Sequence, residues 1–180
     1  MILTGCEITK EWETGRIDIR PFARNQVNPN SYDFRLGSTI RTYTDYVLDP
    51  SRPNETVAQE IPPDGLVLMP GRIYLGHTVE VMGSDHYVPI IRGKSSTARL
   101  GLFIHVTADL IDIGSHNQWT LQLNPVQPIR VYPHMLIGQV TFWRVMGEIV
   151  LYKGKYQGSM GPQGSLIHLD WPRDGHGLGE

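Results

Sequence analysis

The chain has 180 residues and a mass of 20.3 kDa, which is enough for one domain with a substantial core. Its formal net charge of −2 and isoelectric point near 6.4 lack the basic excess of a general nucleic-acid or membrane-surface binder. The single cysteine, Cys6, excludes an internal disulfide and favours a reducing compartment.

The amino-terminal segment predicts a short helix. Thr4 and Glu7 have the spacing of a capping box, Ile8 and Trp12 share one helical face, and Gly15 follows as a stop signal. The same segment lacks the basic and apolar regions of a signal peptide. No run approaches the roughly 20 apolar residues that cross a bilayer, so we expect a cytoplasmic protein without membrane contact.

The segments after this helix are rich in β-branched and aromatic residues or alternate apolar with polar types, as strands do. They are RIDIR (16–20), SYDFRLG (31–37), STIRTYTDYVL (38–48), GLVLMP (65–70), RIYLGHTVEVM (72–82), YVPIIRG (87–93), LFIHVTADLIDIG (102–114), QWTLQLN (118–124), IRVYP (129–133) and IGQVTFWRV (137–145). Nineteen glycines and thirteen prolines divide them. The pattern predicts an all-β domain over 1–154 that forms a sandwich, jelly roll or barrel, followed by a flexible glycine-rich tail over 155–180.

The segment QWTLQLN has the most regular alternation in the chain. Its apolar residues fall on one face and its polar residues on the other: Trp119, Leu121 and Leu123 against Thr120, Gln122 and Asn124. We expect the apolar face to join the core and the polar face to line a pocket.

The segment RGKSSTARLGL, residues 92–102, concentrates groups that bind anions. It is not a P-loop, because Val88 stands where that motif needs glycine and no long helix follows. A short helical turn beginning near Ser95 would offer hydroxyls and free backbone N–H groups to a phosphate, with charge from Lys94 or Arg99. Alternatively, Ser95 or Ser96 only caps the turn and Arg99 is solvated.

Two catalytic sites are excluded by composition. Zinc-dependent nucleobase deaminases need a His-x-Glu and a Pro-Cys-x-x-Cys, which one cysteine cannot supply, and no His-Glu-x-x-His occurs. No Gly-x-Ser-x-Gly elbow supports a serine hydrolase. We therefore expect no zinc, and we interpret the following histidines as structural: His77, His105, His116 and His134.

Several blocks in order resemble one family. GKSSTARLGL, TADLIDIG, LQLN, PHMLIGQVTF and KYQGSMGP, with NPNSYDFRLGSTIRTY upstream, resemble the motifs of the deoxycytidine triphosphate deaminase and deoxyuridine triphosphatase (dUTPase) superfamily. The resemblance spans nearly the whole chain and is stronger to the deaminase branch. It implies a distorted jelly roll or β-barrel of the dUTPase type. It also implies a homotrimer with active sites at subunit interfaces, and a tail that closes over a deoxynucleoside triphosphate.

The resemblance also implies roles for the matching residues. Those at or beside the reacting centre are Ser95, Arg99, Ala108 and Gln122. Those that would contact the nucleotide are Lys94, Ser96, Thr107, Asp112, Lys155, Tyr156 and Ser159. Asp112 would hold the deoxyribose hydroxyl, and Asp33 would reach magnesium through water, with the ion carried by the triphosphate.

Three departures from the motifs bear on the reaction. Gln122 stands where the deaminases carry the glutamate that accepts a proton from water, a contribution worth roughly 10²–10⁴ in rate. Ser159 replaces the tail glutamine, and Lys94 replaces an arginine. Three hypotheses follow. The first is a zinc-independent deaminase that converts dCTP to dUTP and ammonia, with Gln122 compensated. The others are a nucleotide diphosphatase and a non-catalytic nucleotide-binding protein.

Overall fold

A computed structural model of the chain describes residues 1–171, so residues 172–180 of the predicted tail lie outside the described part. The predicted amino-terminal helix is confirmed as α1, Gly5–Glu13. The hydroxyl of Thr4 accepts a hydrogen bond from the Glu7 backbone N–H at 3.4 Å. Gly15 follows the helix with a φ of 76°, in the left-handed region where glycine costs least.

Eleven strands and a second short helix follow within the described residues. In chain order they are β1 (Asp18–Arg20), β2 (Tyr32–Arg35), β3 (Thr39–Tyr43), β4 (Thr56–Glu60), β5 (Leu66–Leu68), β6 (Tyr74–Gly83), β7 (Tyr87–Gly93), α2 (Ser95–Arg99), β8 (Leu102–Phe103), β9 (Asn117–Pro125), β10 (Ile129–Val131) and β11 (Leu136–Arg144). Two 3₁₀ turns complete the list, Arg24–Gln26 and Ile167–Leu169.

The strands form three antiparallel sheets, and the all-β prediction is confirmed. The largest sheet has the order β4-β3-β6-β9-β8, with β1 added on β6. A second sheet has the order β2-β11-β7, and a third pairs β10 with β5. Across the described residues none of these sheets closes on itself. Side chains between the sheets form one core, which includes Phe34, Ile91, Leu121 and Phe142, all with no exposed surface.

Three stretches differ from the sequence-based expectation. The strand predicted over 38–48 ends at Tyr43, and Tyr46 and Val47 beyond it are exposed on a turn. Strand β4 was missed because nearly all of its side chains are exposed, which leaves no alternation to detect. The strand predicted over 102–114 is wrong after Phe103. Beyond that point the chain makes only isolated backbone contacts with β7, such as Ile91 N–H to the Asp109 carbonyl at 2.9 Å.

The turn before β11 keeps a backbone shape that favours glycine although it contains a histidine. His134 has a φ of 63°, and its N–H donates to the Leu36 carbonyl at 2.8 Å. Histidine is among the side chains that tolerate this left-handed conformation. The turn therefore accommodates His134 in a conformation that glycine adopts most easily.

Candidate functional site

A cavity of about 470 Å³ lies between strand β9, the loop that follows β8, and the carboxy-terminal segment. Such a volume suits one small ligand. Its walls are mixed, with apolar side chains such as Leu75 and Ile111 beside polar groups of β9. The loop reaches this position because the chain leaves the sheet after Phe103 and returns to it at Asn117.

The polar face of β9 supplies one wall. Burial alternates along the strand, so that Trp119 and Leu121 enter the core while Gln118, Thr120 and Gln122 face the cavity. The Gln118 amide donates to the Val79 carbonyl at 3.0 Å and accepts from the Gly161 N–H at 2.7 Å. Both polar atoms of the Gln118 side chain are therefore hydrogen-bonded to the backbone. The Gln122 side chain instead lies beside a histidine.

That histidine is His105, in the loop after β8. It lines the cavity, and its two ring nitrogens are buried without a hydrogen-bond partner among the described residues. Burial lowers the pKa of His105 below its usual value, although the Gln122 side chain, Asp109 and the Thr120 backbone partly oppose the shift. The imidazole is therefore neutral near pH 7, in the form that can accept a proton.

The carboxy-terminal segment forms the remaining wall. The Ser159 N–H donates to the Asn117 side chain at 3.0 Å, and the Gln163 N–H donates to the Thr120 hydroxyl at 3.0 Å. Farther along, the Leu166 N–H donates to the Tyr156 hydroxyl at 2.8 Å. These bonds hold residues 156–166 along the edge of the cavity. The mobility predicted for an empty tail stays a prediction.

Some of the residues implied by the resemblance lie together in the cavity wall. They are Ala108, Asp112, Gln122, Tyr156 and Ser159. Others do not line this cavity, namely Lys94, Ser95, Ser96, Arg99, Thr107 and Lys155. The Lys155 amine instead pairs with Asp170. Within one chain, the anion-binding candidates of α2 and the pocket of β9 are therefore separate surfaces.

Helix α2 begins at Ser95, as predicted for a turn that could bind phosphate. Ser95, Ser96 and Arg99 are exposed, and α2 packs beside β8. Lys94 precedes the helix and pairs with the buried carboxylate of Asp33. The other oxygen of that carboxylate accepts from the Asn28 amide at 2.8 Å. Two of the predicted site residues thus neutralise each other at the base of α2.

Sequence reasoning missed several cavity residues. The alternation that placed Gln122 in a pocket also applied to Gln118, four positions earlier on the same face. His105 was interpreted as structural because its spacing from other histidines fits no metal site, although a lone histidine can still transfer protons. Gln163 carried no local signal, since its position depends on how the tail folds back.

Metal-binding clusters and membrane-spanning helices are both missing from residues 1–171. That part of the chain contains no group of three or more histidine, cysteine, aspartate or glutamate residues placed to hold a metal ion. None of its helices is long and apolar enough to cross a membrane.

Comparison with known proteins gives a consistent result. The sequence model of the dCTP deaminase-like family matches residues 2–145. A "dCTP deaminase, dUMP-forming" of Clostridium beijerinckii is 47% identical over 174 residues, which are 96% of this chain and 100% of that protein. An enzyme of the same name from Leptospira biflexa is 42% identical over 174 residues, 96% of this chain and 99% of the other.

A solved structure supports the fold. The 2'-deoxycytidine 5'-triphosphate deaminase of Agrobacterium tumefaciens superposes with a TM-score of 0.61 at 23% identity. The match covers 78% of this chain and 47% of that chain, so the present chain corresponds to about half of the larger protein.

Proposed function

The chain belongs to the dCTP deaminase-like family, and from this premise we propose that it deaminates the cytosine of deoxycytidine triphosphate and releases dUMP. Two waters would be consumed, one at the ring carbon that loses ammonia and one at phosphorus, giving dUMP, ammonia and diphosphate. The sequence alone predicted dUTP as the product, whereas the relatives are named for forming dUMP. The observation that carries the proposal is the cavity itself, whose wall is the β9 face that carries Gln122, the residue at the position of the glutamate in the motifs that the chain resembles.

In the proposed binding mode, the base and the sugar of the nucleotide each contact a cavity residue of matching chemistry. Ala108 would offer its backbone to the base or the attacking water, and Asp112, which is exposed at the cavity, would bind the sugar hydroxyl. Tyr156 and Ser159 would close over the nucleotide from the tail. A volume near 470 Å³ is sufficient for a nucleoside, and the anion-binding candidates of α2 lie outside this cavity.

We propose that a homotrimer completes the site, with Ser95, Ser96 and Arg99 of α2 meeting the triphosphate across a subunit interface. An exposed apolar patch beside α2 supports this assembly. The apolar patch consists of Leu100, Phe103, Val106, Leu110 and Val126, each about half exposed or more. Exposed apolar side chains can mark a surface that another subunit covers.

Magnesium is proposed as part of the substrate, bound to the triphosphate. Asp33 fits a direct ligand poorly, because its two oxygens already contact Lys94 and the Asn28 amide. A hydrogen bond to a water of the ion requires less of the carboxylate and is the role we propose for it.

A second function is favoured by one observation. Gln122 is an amide, which cannot accept a proton near neutral pH, so the chain could hydrolyse a deoxynucleoside triphosphate to its monophosphate without deamination. In that case the substrate would be a uracil nucleotide, and the cavity would serve only to recognise the base.

Measuring ammonia and diphosphate together, from dCTP and from dUTP, separates these functions. Equal release of both products from dCTP supports the deaminase. Diphosphate from dUTP, with no ammonia from dCTP, supports the diphosphatase. Tight binding without either product indicates a non-catalytic nucleotide-binding protein.

The variant Gln122→Glu tests whether a carboxylate at position 122 supports deamination. It supplies a carboxylate in the cavity and should create or raise ammonia release, while Gln59→Glu makes the same change on exposed β4 and should have no effect. Absence of ammonia from both wild type and Gln122→Glu, with any cytosine nucleotide, would contradict the deaminase proposal.

A further inference from the structure

The proposed deamination needs a proton acceptor that position 122 does not provide. An amide neither removes the proton of the attacking water nor returns one to the leaving amino group. Few other groups of the cavity wall can do so. The phenols of Tyr43, Tyr152 and Tyr156 are hydrogen-bonding groups rather than bases, and Asp112 is exposed and suited to the sugar. The remaining candidate is His105.

Its position meets the geometric requirement. His105 lines the cavity beside the Gln122 side chain, at the point where the family places its catalytic carboxylate. Its two ring nitrogens are buried and make no hydrogen bond of normal geometry among the described residues, although the Gln122 side chain and the Thr120 backbone lie close to the ring. A buried polar group without a full hydrogen bond costs folding free energy, and a catalytic role is one explanation for such a group. Presenting a nitrogen to the cavity would require a rotation of the imidazole about its Cβ–Cγ bond, a torsion whose preferred range is broad.

We propose that His105 is the proton-transfer residue of this chain, in place of a carboxylate at position 122. The inference rests on the proposed deaminase function. His105 would accept a proton from water as its oxygen bonds to C4 of cytosine, and would deliver that proton to N3. It would then accept the proton of the new hydroxyl and give it to the amino group. The C4–N bond breaks, ammonia leaves, and the imidazole returns to its neutral form. Gln122 would act as a positioning residue for the water.

Electrostatics support this assignment. Burial is the largest influence on the pKa of His105 and lowers it, which keeps the ring neutral. Asp109 on the same loop and the Gln122 side chain raise the pKa in part. The other titratable groups that line the cavity are Asp112, Tyr43 of β3, and Tyr152 and Tyr156 of the tail. Deamination should therefore be lost as pH falls through the lowered pKa of His105, below about 6.5.

The test compares His105→Gln, the double variant His105→Gln with Gln122→Glu, and the control His86→Gln, whose histidine is exposed. His105→Gln should lower ammonia release from dCTP by at least about a hundredfold, the lower end of general-base assistance. Its affinity for dCTP should change only a few-fold. The double variant should recover ammonia release, because it supplies the family's carboxylate, and His86→Gln should match wild type.

The outcomes separate this inference from the proposed function. If wild type releases no ammonia, the role of His105 is overturned, and the deaminase proposal fails as well if Gln122→Glu releases none. If wild type is active and His105→Gln keeps its rate, only the role of His105 is overturned. Loss of activity in His105→Gln that the double variant does not recover, with dCTP still bound, would mean that His105 only shapes the cavity and would also overturn the inference.

A measurement on the wild type avoids the question of whether a variant folds. The acid limb of kcat/KM for ammonia release should have the same pKa as the His105 ring, titrated by NMR in the free protein. An acid limb that does not coincide with the titration of His105 would overturn the inference independently of the variants.

Discussion

At the scale of single residues, the two cationic side chains at α2 differ in whether an acidic residue pairs with them. Lys94, which replaces an arginine of the family motif, is partly buried and pairs with Asp33. Arg99 is exposed and forms no ion pair among the described residues. A paired lysine has less charge to offer a ligand than a free arginine, and guanidinium binds phosphate in a bidentate manner. Arg99 is therefore the group on which triphosphate affinity should depend most.

Arg99→Ala tests this expectation. It should weaken triphosphate binding by about 2 kcal/mol or more, since a charged hydrogen bond to phosphate is lost. Calorimetry with dCTP and with deoxycytidine provides the measurement, and the nucleoside, which lacks phosphate, should be unaffected. Arg52→Ala, in the exposed loop between β3 and β4, is the matched control. An unchanged affinity for dCTP would show that Arg99 is only a solvated surface residue.

At the scale of elements, β9 and the tail together build the site. One face of β9 carries Leu121 into the core, and the other presents Gln122 to the cavity. The tail adds no core residue after Gly154 within the described part of the chain, but bonds to the β9 side chains and to the hydroxyl of Tyr43 at 3.0 Å. The strand thus supplies both core and cavity wall, whereas the tail supplies cavity wall alone.

Deleting every residue after Gly154 should leave the fold and the assembly intact and abolish turnover, because the core remains while a wall of the cavity is removed. Circular dichroism, light scattering and the ammonia assay check the three parts. Tyr156→Phe is the milder comparison. It keeps the tail but removes the oxygen that accepts from Leu166, and should reduce turnover only in part. Full activity of the truncated chain would contradict a role for the tail in closing the site.

At the scale of the whole molecule, the two candidate surfaces of one chain are separate. Its sheets are open across the described residues, and α2 presents Ser95 and Arg99 away from the cavity of β9. The apolar patch lies beside α2 and β8. A neighbouring copy that covers this patch would bring both surfaces into one site, which is the reason to expect an oligomer.

Light scattering at micromolar concentration should give a mass near three times 20.3 kDa. Val126→Asp should dissociate the trimer, because it would bury an unpaired charge in the apolar patch. Tyr46→Asp, at a fully exposed position outside the apolar patch, should leave the mass unchanged. A wild-type monomer in the presence of nucleotide would remove the basis for a site between subunits.

The amino-acid sequence by itself determined the features that depend on neighbours along the chain. Helix α1 followed from the Thr4 cap and the stop at Gly15, and the two faces of β9 followed from its period of two. Capping and alternation are local, so they can be detected without knowing the fold. The order of the family's motifs likewise indicated the class of protein, because that order is a property of the chain alone.

Only the tertiary structure decided where the polar groups meet. Strand β4 exists because β3 offers it a pairing edge, although its own side chains remain exposed. His105 became a candidate because the chain leaves the sheet after Phe103 and turns the ring towards Gln122. Gln163 reaches Thr120 across 43 residues of sequence. These contacts are formed by long-range packing, and no local pattern of residues encodes them.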